Sequence, residues 1–303
     1  MMPPRCAFLT GATGFIGSNL TRCLVGEGWT VHCLVREASD KTILDDLDGK
    51  IRIHVQDEST GHLCRILDEA KPDVVFHLAS LFLAEHEPED VPNLVESNLA
   101  FPASLLEAMA QCGLTNLVNT GTSWQYGETG AISPVNLYAA TKEAFEDIID
   151  YYVDVHGLKA ITLTLYDTYG PGDTRRKLVN LLLSALRSGE PLLMSPGEQR
   201  LDLIHVSDVI EAYRKASEIF LAGSTESHEH YAVTSGNFHS LKDIVALFED
   251  AAGRKLNIQF GMRPYRKREV MNPWRGLKVL PGWYPQVTLA AGFADLMAEG
   301  KHA

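Results

Sequence analysis

The residues with the clearest chemical potential are a tyrosine and a lysine four positions apart, Tyr138 and Lys142. On a helix this spacing puts the phenol and the ammonium on one face, one turn apart. A nearby ammonium lowers the pKa of a phenol from its ordinary value of about 10, so the tyrosine could act as acid or base near neutral pH. The hydroxyl of Thr122 could hydrogen-bond and orient a substrate oxygen. The sequence predicts Thr122, Tyr138 and Lys142 as a catalytic set, although a solvated helix face could show the same tyrosine–lysine spacing.

Three glycines at intervals of three residues follow a short apolar run near the start of the chain. The run Cys6 to Leu9 suits a buried strand, and the apolar residues after the glycines recur on one side, as on a helix. Glycine lets the backbone approach a ligand closely, and the free N–H groups of a helix start favour a pyrophosphate. The pattern predicts a dinucleotide-binding loop, with a bare tight turn as the alternative. The loop residues assigned to the cofactor are Gly11, Thr13, Gly14, Phe15, Ile16 and Gly17.

The end of the second predicted strand, Thr30 to Val35, indicates which cofactor is bound. A ribose 2′-hydroxyl needs an acidic acceptor there, whereas a 2′-phosphate needs a cation. Val35 stands where the acidic residue would be, and Arg36 follows it. The sequence therefore favours NADP, with NAD as the alternative if Arg36 is only a solvated surface charge. Asp57, just after the third predicted strand, is a candidate contact for the adenine edge.

The fourth predicted strand and the helix after it complete the expected cofactor site. The segment Asp73 to Ala79 is almost wholly apolar, as a parallel strand covered on both faces should be. Its end would pass close to the cofactor, whereas His77 within it is expected to be a core histidine. The further residues assigned to cofactor binding are Leu78, Ala79, Ser80, Asn98, Tyr138 and Lys142.

Strands alternate with helices from the N-terminus onward, which is typical of a doubly wound parallel sheet. The sequence predicts an α/β protein with a Rossmann dinucleotide-binding domain over residues 1–165, to which a segment near 203–222 returns. Residues 166–303 are expected to form mainly a smaller C-terminal α/β substrate-binding lobe. His205, in the returning segment, is expected to be structural. The elements expected in the smaller lobe are a strand Tyr231 to Thr234, a helix Leu241 to Ala252, a strand Leu256 to Phe260 and a final helix from Thr288.

Composition restricts the partners and the compartment. A formal net charge of −12 over 303 residues argues against nucleic acid or an anionic membrane as the main partner. No apolar run approaches the ~20 residues of a membrane span, and no signal-peptide core is found. Five scattered cysteines suggest core thiols and a cytoplasmic location. No metal site is expected, because His228 and His230 are placed in a polar surface loop, Ser224 to His230, without companion ligands.

Five motifs are spread along the chain: TGATGFIGSNL, HLAS, NTGTSWQYG, YAATK and YGPGD. Together they resemble the extended short-chain dehydrogenase/reductases, in the epimerase/dehydratase branch that acts on nucleotide sugars. By that resemblance Thr122, Tyr138 and Lys142 form the catalytic triad, and Lys142 also binds the nicotinamide ribose. A hydride would pass between the nicotinamide and a sugar carbon while Tyr138 moves the proton. The resemblance also implies a homodimer, formed through helices over residues 98–112 and 138–156.

The departures from the family pattern narrow the expected activity. Dehydratases of this branch carry an Asp-Glu pair after the catalytic threonine, but this chain has Ser123 and Trp124, which makes 4,6-dehydration an unsuitable assignment. The short stretch between Thr122 and Tyr138 resembles the CDP-paratose synthase-like 4-ketoreductases. Asp167 replaces the family's usual asparagine before YGP. Because a carboxylate repels a diphosphate, either the binding of the substrate diphosphate must differ from the family pattern or the substrate is unusual.

Several cationic side chains could bind the diphosphate instead. Arg175, Arg176 and Lys177 open an apolar-striped helix. Positive charge at a helix start opposes the dipole and calls for an anion or a nearby carboxylate. Each cation could also be a plain solvated charge. The residues assigned to substrate binding are Ser123, Trp124, Asp167, Arg175, Arg176, Lys177, Arg200 and Arg266.

These observations predict an NADP-dependent reductase of a nucleotide-activated 4-keto-deoxysugar, with hydride transfer to C4 and Tyr138 as proton donor. The nearest alternative is an NAD-dependent nucleotide-sugar C4 epimerase, which oxidises and re-reduces the same carbon. A non-catalytic dinucleotide-sensing protein is a remote alternative, because it has no reason to keep Thr122, Tyr138 and Lys142 together.

Overall fold

A computed structural model describes residues 5–57, 59–225 and 227–299. The strands are β1 (Cys6–Thr10), β2 (Thr30–Val35), β3 (Ile51–Val55), β4 (Val74–His77), β5 (Asn116–Thr122), β6 (Lys159–Leu165), β7 (Asp167–Tyr169), β8 (Leu192–Leu193), β9 (Arg200–His205), β10 (His228–Val233), β11 (Phe238–Ser240) and β12 (Ile258–Gln259). The helices are α1 (Phe15–Gly26), α2 (Thr60–Ala70), α3 (Val91–Val95), α4 (Phe101–Gln111), α5 (Leu137–His156), α6 (Leu178–Ser188), α7 (Val206–Leu221), α8 (Leu241–Ala252) and α9 (Leu289–Glu299).

The large sheet has seven parallel strands in the order β10-β6-β5-β4-β1-β2-β3. Its central strands are apolar runs with both faces covered, and every residue of β4 is buried. Helices α1 and α7 cover one face, while α2, α4 and α5 cover the other. The predicted Rossmann-type α/β fold is confirmed.

The strand order reverses direction next to β1, whose neighbours are β2 on one side and β4 on the other. In such sheets the crevice beyond the carboxyl ends of the strands at this switch point is the usual ligand site. The glycine loop follows β1, and the segment starting at Leu78 follows β4. Both segments therefore meet at the crevice.

Helix α5 carries Tyr138 and Lys142, and its start is fixed by a local cap. The Asn136 side chain accepts a hydrogen bond from the backbone N–H of Ala139, which satisfies one of the unpaired donors at the helix start. At the other end Gly157 takes a left-handed conformation with φ of 67°. The cap places Tyr138 in the first turn and Lys142 one turn further on.

A smaller lobe packs beside the crevice around its own apolar cluster, which includes Leu182, Leu203, Phe248 and Phe293. It contains the three-stranded sheet β11-β9-β7 and the two-stranded pair β12-β8. Helices α6, α8 and α9 belong to it. The predicted helix Leu241–Ala252 is confirmed, whereas the strand expected at Leu256 to Phe260 is reduced to the two residues of β12.

One predicted strand lies in a different sheet from the one expected. The sequence places Tyr231 to Thr234 in the smaller lobe, but β10 pairs in parallel with β6 and forms the edge of the large sheet. Helix α7 packs on one face of the large sheet, and the Tyr213 hydroxyl lies 2.6 Å from that of Thr120. The chain after residue 200 therefore contributes both an edge strand and a covering helix to the large sheet.

Candidate active site

The glycine loop packs so tightly that side chains are excluded at two of its positions. A Cβ on Gly17 would lie 2.1 Å from the carbonyl oxygen of Gly11, and a Cβ on Gly11 would lie 2.6 Å from the backbone nitrogen of Ala79. Gly11 also has φ of 76°, which side chains rarely tolerate. Gly14 is the N-cap residue of helix α1 and provides no side-chain hydrogen bond, so the first N–H groups of the helix can serve an anion. A cradle of this shape fits the pyrophosphate of a dinucleotide.

Thr122, Tyr138 and Lys142 line one cleft together with the glycine loop. Thr122 ends β5 and is buried, while Lys142 is 2 % exposed. The ring of Phe82 stands edge-on to that of Tyr138, with centroids 5.0 Å apart. The structure thus brings the three predicted catalytic side chains to the face of the predicted cofactor loop.

The predicted lowering of the Tyr138 pKa by Lys142 is wrong for this arrangement. Burial of the phenol raises the pKa of Tyr138 to about 12, and the Arg175 guanidinium, with hydrogen bonds from Ser80 and Thr122, opposes that rise only in part. Desolvation disfavours the phenolate more than the nearby cation favours it. Tyr138 is therefore a neutral phenol at pH 7, which is the form that can donate a proton.

Burial also changes the lysine. It lowers the pKa of Lys142 to about 8, although the carboxylate of Glu146 one turn further along α5 opposes the change. The Lys142 ammonium in turn adds to the burial that lowers the pKa of His77 well below its usual range. His77 is buried with Nδ1 2.8 Å from the Thr10 hydroxyl, so the prediction of a core histidine is confirmed.

The segment after β4 meets the glycine loop. Asn98, which was predicted to bind the cofactor, makes hydrogen bonds within the protein to this segment and to helix α5. Its side-chain oxygen accepts hydrogen bonds from the Ser80 hydroxyl and the Leu81 N–H, and its amide donates to Leu81 and to the Thr141 hydroxyl. Asn98 lies in a π-helical turn between α3 and α4. It fixes the segment containing Ser80 to helix α5. Leu78 and Ser80 line the cleft, whereas Thr13, Ala79 and Asn98 are not among its lining residues.

The two residues predicted to contact the adenosine half lie at the ends of their strands. Arg36 is exposed immediately after β2. Asp57 is exposed after β3, where its carboxylate accepts hydrogen bonds from the backbone and hydroxyl of Ser59 at the start of α2. Both lie outside the cleft lining, along the carboxyl edge of the same sheet.

Two of the basic residues before α6 have carboxylate partners. Arg175 is paired with Asp173 at 2.8 Å, and its guanidinium lies 4.6 Å from the ring centroid of Phe15 in the glycine loop. Lys177 is paired with Asp167 at 3.6 Å. Both cations line the cleft. Asp167, which replaces the family's asparagine, is thus partly neutralised by a lysine.

A second, adjoining cavity contains the other predicted substrate residues. It is lined by Ser123, Trp124 and Asp167 on the cleft side and by Arg200 and Arg266 on the other. The Arg266 guanidinium lies 4.8 Å from the centroid of a Trp124 ring. Arg176 lines neither cavity and is exposed.

Sequence reasoning missed several residues that the fold brings into the cleft. Phe82, Tyr166 and Thr168 line it, and the Lys177 ammonium lies 5.0 Å from the Phe82 ring centroid. Tyr166 and Thr168 flank Asp167, so the unusual residue there was a usable signal. Phe82 had no comparable signal in the sequence.

The placement of His228 and His230 in a polar surface loop was wrong. Both belong to strand β10, where they face Glu146 of α5, and these three residues could hold a metal ion. The expectation that the histidines lack a companion ligand is therefore also wrong. However, both ring nitrogens of His228 already have protein partners, Asp150 at 2.6 Å and the Thr162 hydroxyl at 2.8 Å. His205 caps helix α7, a structural role as predicted.

Residues 7–232 match the family described as the NAD dependent epimerase/dehydratase family. This chain belongs to that family. The match confirms the expected class of enzyme, an NAD(P)-dependent oxidoreductase of the extended short-chain dehydrogenase/reductase type. Within the ranges that the structure describes, none of the helices has the length and apolarity of a membrane span.

The similarity to known relatives extends over nearly the whole length of this chain. It is 30% identical over 269 residues to a CDP-abequose synthase of Yersinia pseudotuberculosis, a match covering 88% of this chain and 90% of that protein. It is 27% identical over 308 residues to a UDP-glucose 4-epimerase of Mycolicibacterium smegmatis, covering 94% and 95%. The crystal structure of the Thermus thermophilus UDP-glucose 4-epimerase with NAD superposes with a TM-score of 0.82 at 25% identity, covering 98% and 99%. These similarities support activity on a nucleotide sugar.

Proposed function

We propose that the protein is an NADP-dependent reductase of a nucleotide-activated 4-keto-deoxysugar. The observation that carries the proposal is the cleft that brings Tyr138 together with Thr122, Lys142 and the glycine loop; burial there raises the pKa of Tyr138 to about 12 and favours the neutral phenol. Reduction of a ketone needs a proton donor, and a phenol that stays protonated at neutral pH is one. Similarity to a CDP-abequose synthase supports a CDP-linked deoxyhexose as the substrate.

The loop between β1 and α1 would hold the dinucleotide, with the pyrophosphate at the uncapped start of α1. When bound, NADPH supplies a hydride. Thr122 would hydrogen-bond the C4 carbonyl oxygen of the sugar and polarise it. As the carbonyl electron pair moves to that oxygen, Tyr138 Oη gives it a proton, which completes the hydroxyl. Arg36 at the end of β2 would hold the 2′-phosphate, and this contact is the basis for proposing NADP rather than NAD.

The substrate diphosphate would lie among the cations of the smaller lobe. Arg175 and Lys177 face the cleft, and Arg266 lies over Trp124 in the adjoining cavity. Ser123 and Trp124 would flank the sugar. These two side chains supply neither the acid nor the carboxylate base of the Asp-Glu pair that dehydratases of this family use. Reduction without dehydration therefore suits the site.

An assay of NADPH consumption tests the proposal. The wild-type protein is offered CDP-, UDP-, GDP- and dTDP-linked 4-keto-deoxyhexoses, and we expect loss of NADPH absorbance with the CDP-linked sugar. Tyr138→Phe should lower the rate by a factor of about 10² to 10⁴. Tyr284→Phe, at a 72 % exposed tyrosine, is the control and should be unaffected. Unchanged turnover in Tyr138→Phe would remove Tyr138 from the mechanism.

The second candidate is an NAD-dependent nucleotide-sugar C4 epimerase, which similarity to UDP-glucose 4-epimerases supports. An epimerase returns the hydride to the same carbon, so it should purify with bound cofactor and interconvert C4 epimers without net NADPH consumption. Epimerisation of UDP-glucose with no reduction of any 4-keto sugar would favour this candidate.

We also propose that the protein is a cytoplasmic homodimer. Helix α5 exposes large apolar side chains, with Tyr151 55 % and Val155 59 % exposed, which is typical of a surface that meets a partner. The five cysteines are free thiols, which suits a reducing compartment. Light scattering should give twice the chain mass, and Val155→Glu should shift the protein towards the monomer.

A further inference from the structure

Behind the cleft, Gln125 joins the catalytic threonine to helix α5. Gln125 is buried, and its side-chain oxygen accepts a hydrogen bond of 2.8 Å from the backbone N–H of Thr122. Its amide nitrogen donates to the carboxylates of Glu143 and Glu146, each at 2.7 Å. A backbone N–H can only donate and a carboxylate accepts, so the orientation of the amide is fixed. The end of β5 is therefore tied to two residues of α5.

Of these two carboxylates, Glu146 is the one whose charge acts on Lys142. It lies four residues after Lys142 on α5, so the two side chains share a face of the helix. Glu146 is 6 % exposed and Lys142 is 2 % exposed, and a buried ammonium needs a compensating charge. Glu143 is adjacent to Lys142 in sequence, and its side chain is directed away by the helical geometry.

The rest of the surroundings holds Glu146 in place. Its second carboxylate oxygen lies 3.1 Å from Nδ1 of His230 on β10, and the hydrogen bond to Glu146, together with its charge, raises the pKa of that histidine. A Cβ on Gly121 would lie 3.2 Å from both the Gln125 and Glu146 side-chain oxygens, so a glycine at this position leaves room for the bridge. The titratable groups around Lys142 and Glu146 are Glu143 and Asp150 on α5, His77 on β4, Tyr126 after β5, and His228 and His230 on β10.

We propose that Glu146 is a positioning residue of the reaction: it supplies the counter-charge that keeps Lys142 protonated and, through Gln125, holds Thr122 in register with Lys142. Glu146 does not line the cleft, so it acts through these two residues rather than on the substrate. This inference rests on the proposed function for the role of Lys142. It adds a buried carboxylate to the machinery that the cleft residues alone would not identify.

The direction of the expected effect follows from the charge. Burial lowers the pKa of Lys142 to about 8, and the charge of Glu146 opposes that lowering. Removal of the carboxylate leaves the burial of the ammonium less opposed, so the proton is lost at a lower pH. The loss of one nearby opposite charge is expected to lower the pKa of Lys142 by about one unit. Burial raises the pKa of Tyr138 to about 12, above the pH range of the test, so the phenol is not expected to obscure the lysine.

The test compares Glu146→Gln with Glu143→Gln as a matched control, by NADPH-binding fluorescence and by the reductase rate from pH 6 to pH 9. Glutamine keeps an acceptor for Gln125 but removes the charge. We expect the alkaline loss of NADPH affinity and rate to move down by about one pH unit in Glu146→Gln and to stay in place in Glu143→Gln. Equal shifts in the two variants, or no shift in either, would overturn the proposal.

Glu146→Asp provides the second variant, because it retains the charge and decides the matter if Glu146→Gln does not fold. Its alkaline limb should stay near that of the wild type, and a shift of about one unit in this variant would also overturn the proposal. NADPH binding needs no sugar, so it tests Glu146 even if no sugar is reduced. A wild-type protein that reduces no 4-keto sugar counts against the proposed function alone.

Discussion

Gly17 and Gly26 form a matched pair of positions in helix α1, and alanine should be harmful at the first and harmless at the second. A Cβ on Gly17 would lie 2.1 Å from the carbonyl oxygen of Gly11 and 2.8 Å from its carbonyl carbon. Both atoms belong to the backbone, so neither can rotate away as a side chain would. A Cβ on Gly26 would have no heavy atom of another part of the fold within 4 Å.

The size of the effect follows from these contacts. To bring this contact from 2.1 Å to the ordinary 3.4 Å, α1 would have to move from the loop by about 1.3 Å, and overpacking of this kind costs about 1–3 kcal/mol. Alanine stabilises a helix by about 0.5–1 kcal/mol relative to glycine. Gly26→Ala should show this stabilisation, whereas in Gly17→Ala the clash should outweigh it. The same movement displaces the N–H groups at the start of α1, so Gly17→Ala should also bind NADPH more weakly.

Thermal denaturation with and without NADPH, together with fluorescence titration of NADPH, measures both effects. Gly17→Ala should lower Tm by several degrees and reduce the rise in Tm that NADPH produces by mass action. Gly26→Ala should have a wild-type or slightly higher Tm and wild-type affinity. The reasoning would be refuted by a Gly17→Ala protein with wild-type Tm and NADPH affinity.

Three further predictions concern single residues. Arg36→Asp should weaken NADPH binding by at least about tenfold relative to NADH, since it would remove the charge-assisted contact to the 2′-phosphate that we propose; equal effects on both cofactors in parallel titrations would contradict this. Burial lowers the pKa of His77, so as the pH drops below 6.5 the unfolded chain binds a proton before the folded chain does, and Tm should fall. In His77→Gln the fall in Tm between pH 6.5 and 5 should be smaller than in the wild type. An equal fall in the two proteins would count against this prediction. Asp208→Ala removes the acceptor of the Gln286 and Val287 N–H groups, which should cost about 1–3 kcal/mol in urea unfolding, and a wild-type midpoint would show the contacts to be unimportant.

The nucleotide-binding half was predictable because its signals are local. The glycines, the apolar strands and the spacing of Tyr138 and Lys142 lie within short stretches of sequence, and each matches the structure. Strand Thr30–Val35 has the predicted bounds.

The misplacements come from interactions between distant parts of the chain. The segment at His228 and His230 is polar, so it resembles a loop, but its partners are Glu146 and Asp150 on α5. Polar side chains can face a helix from an edge strand when they are paired there. The prediction for the pKa of Tyr138 was wrong for a related reason. The burial of the phenol depends on Phe82 and on residues of the smaller lobe, and the helical spacing of Tyr138 and Lys142 does not reveal this burial.

The position of β10 at the edge of the large sheet limits how the molecule can be divided. A fragment ending at residue 165 would leave β6 as a bare edge with unpaired backbone groups, and such edges recruit other chains into aggregates. It would also strip the apolar cover that Val209 and Tyr213 of α7 give to the sheet. Grafting the smaller lobe of a relative onto this enzyme would therefore require several sequence junctions, because β10 and α7 would have to be kept from the recipient.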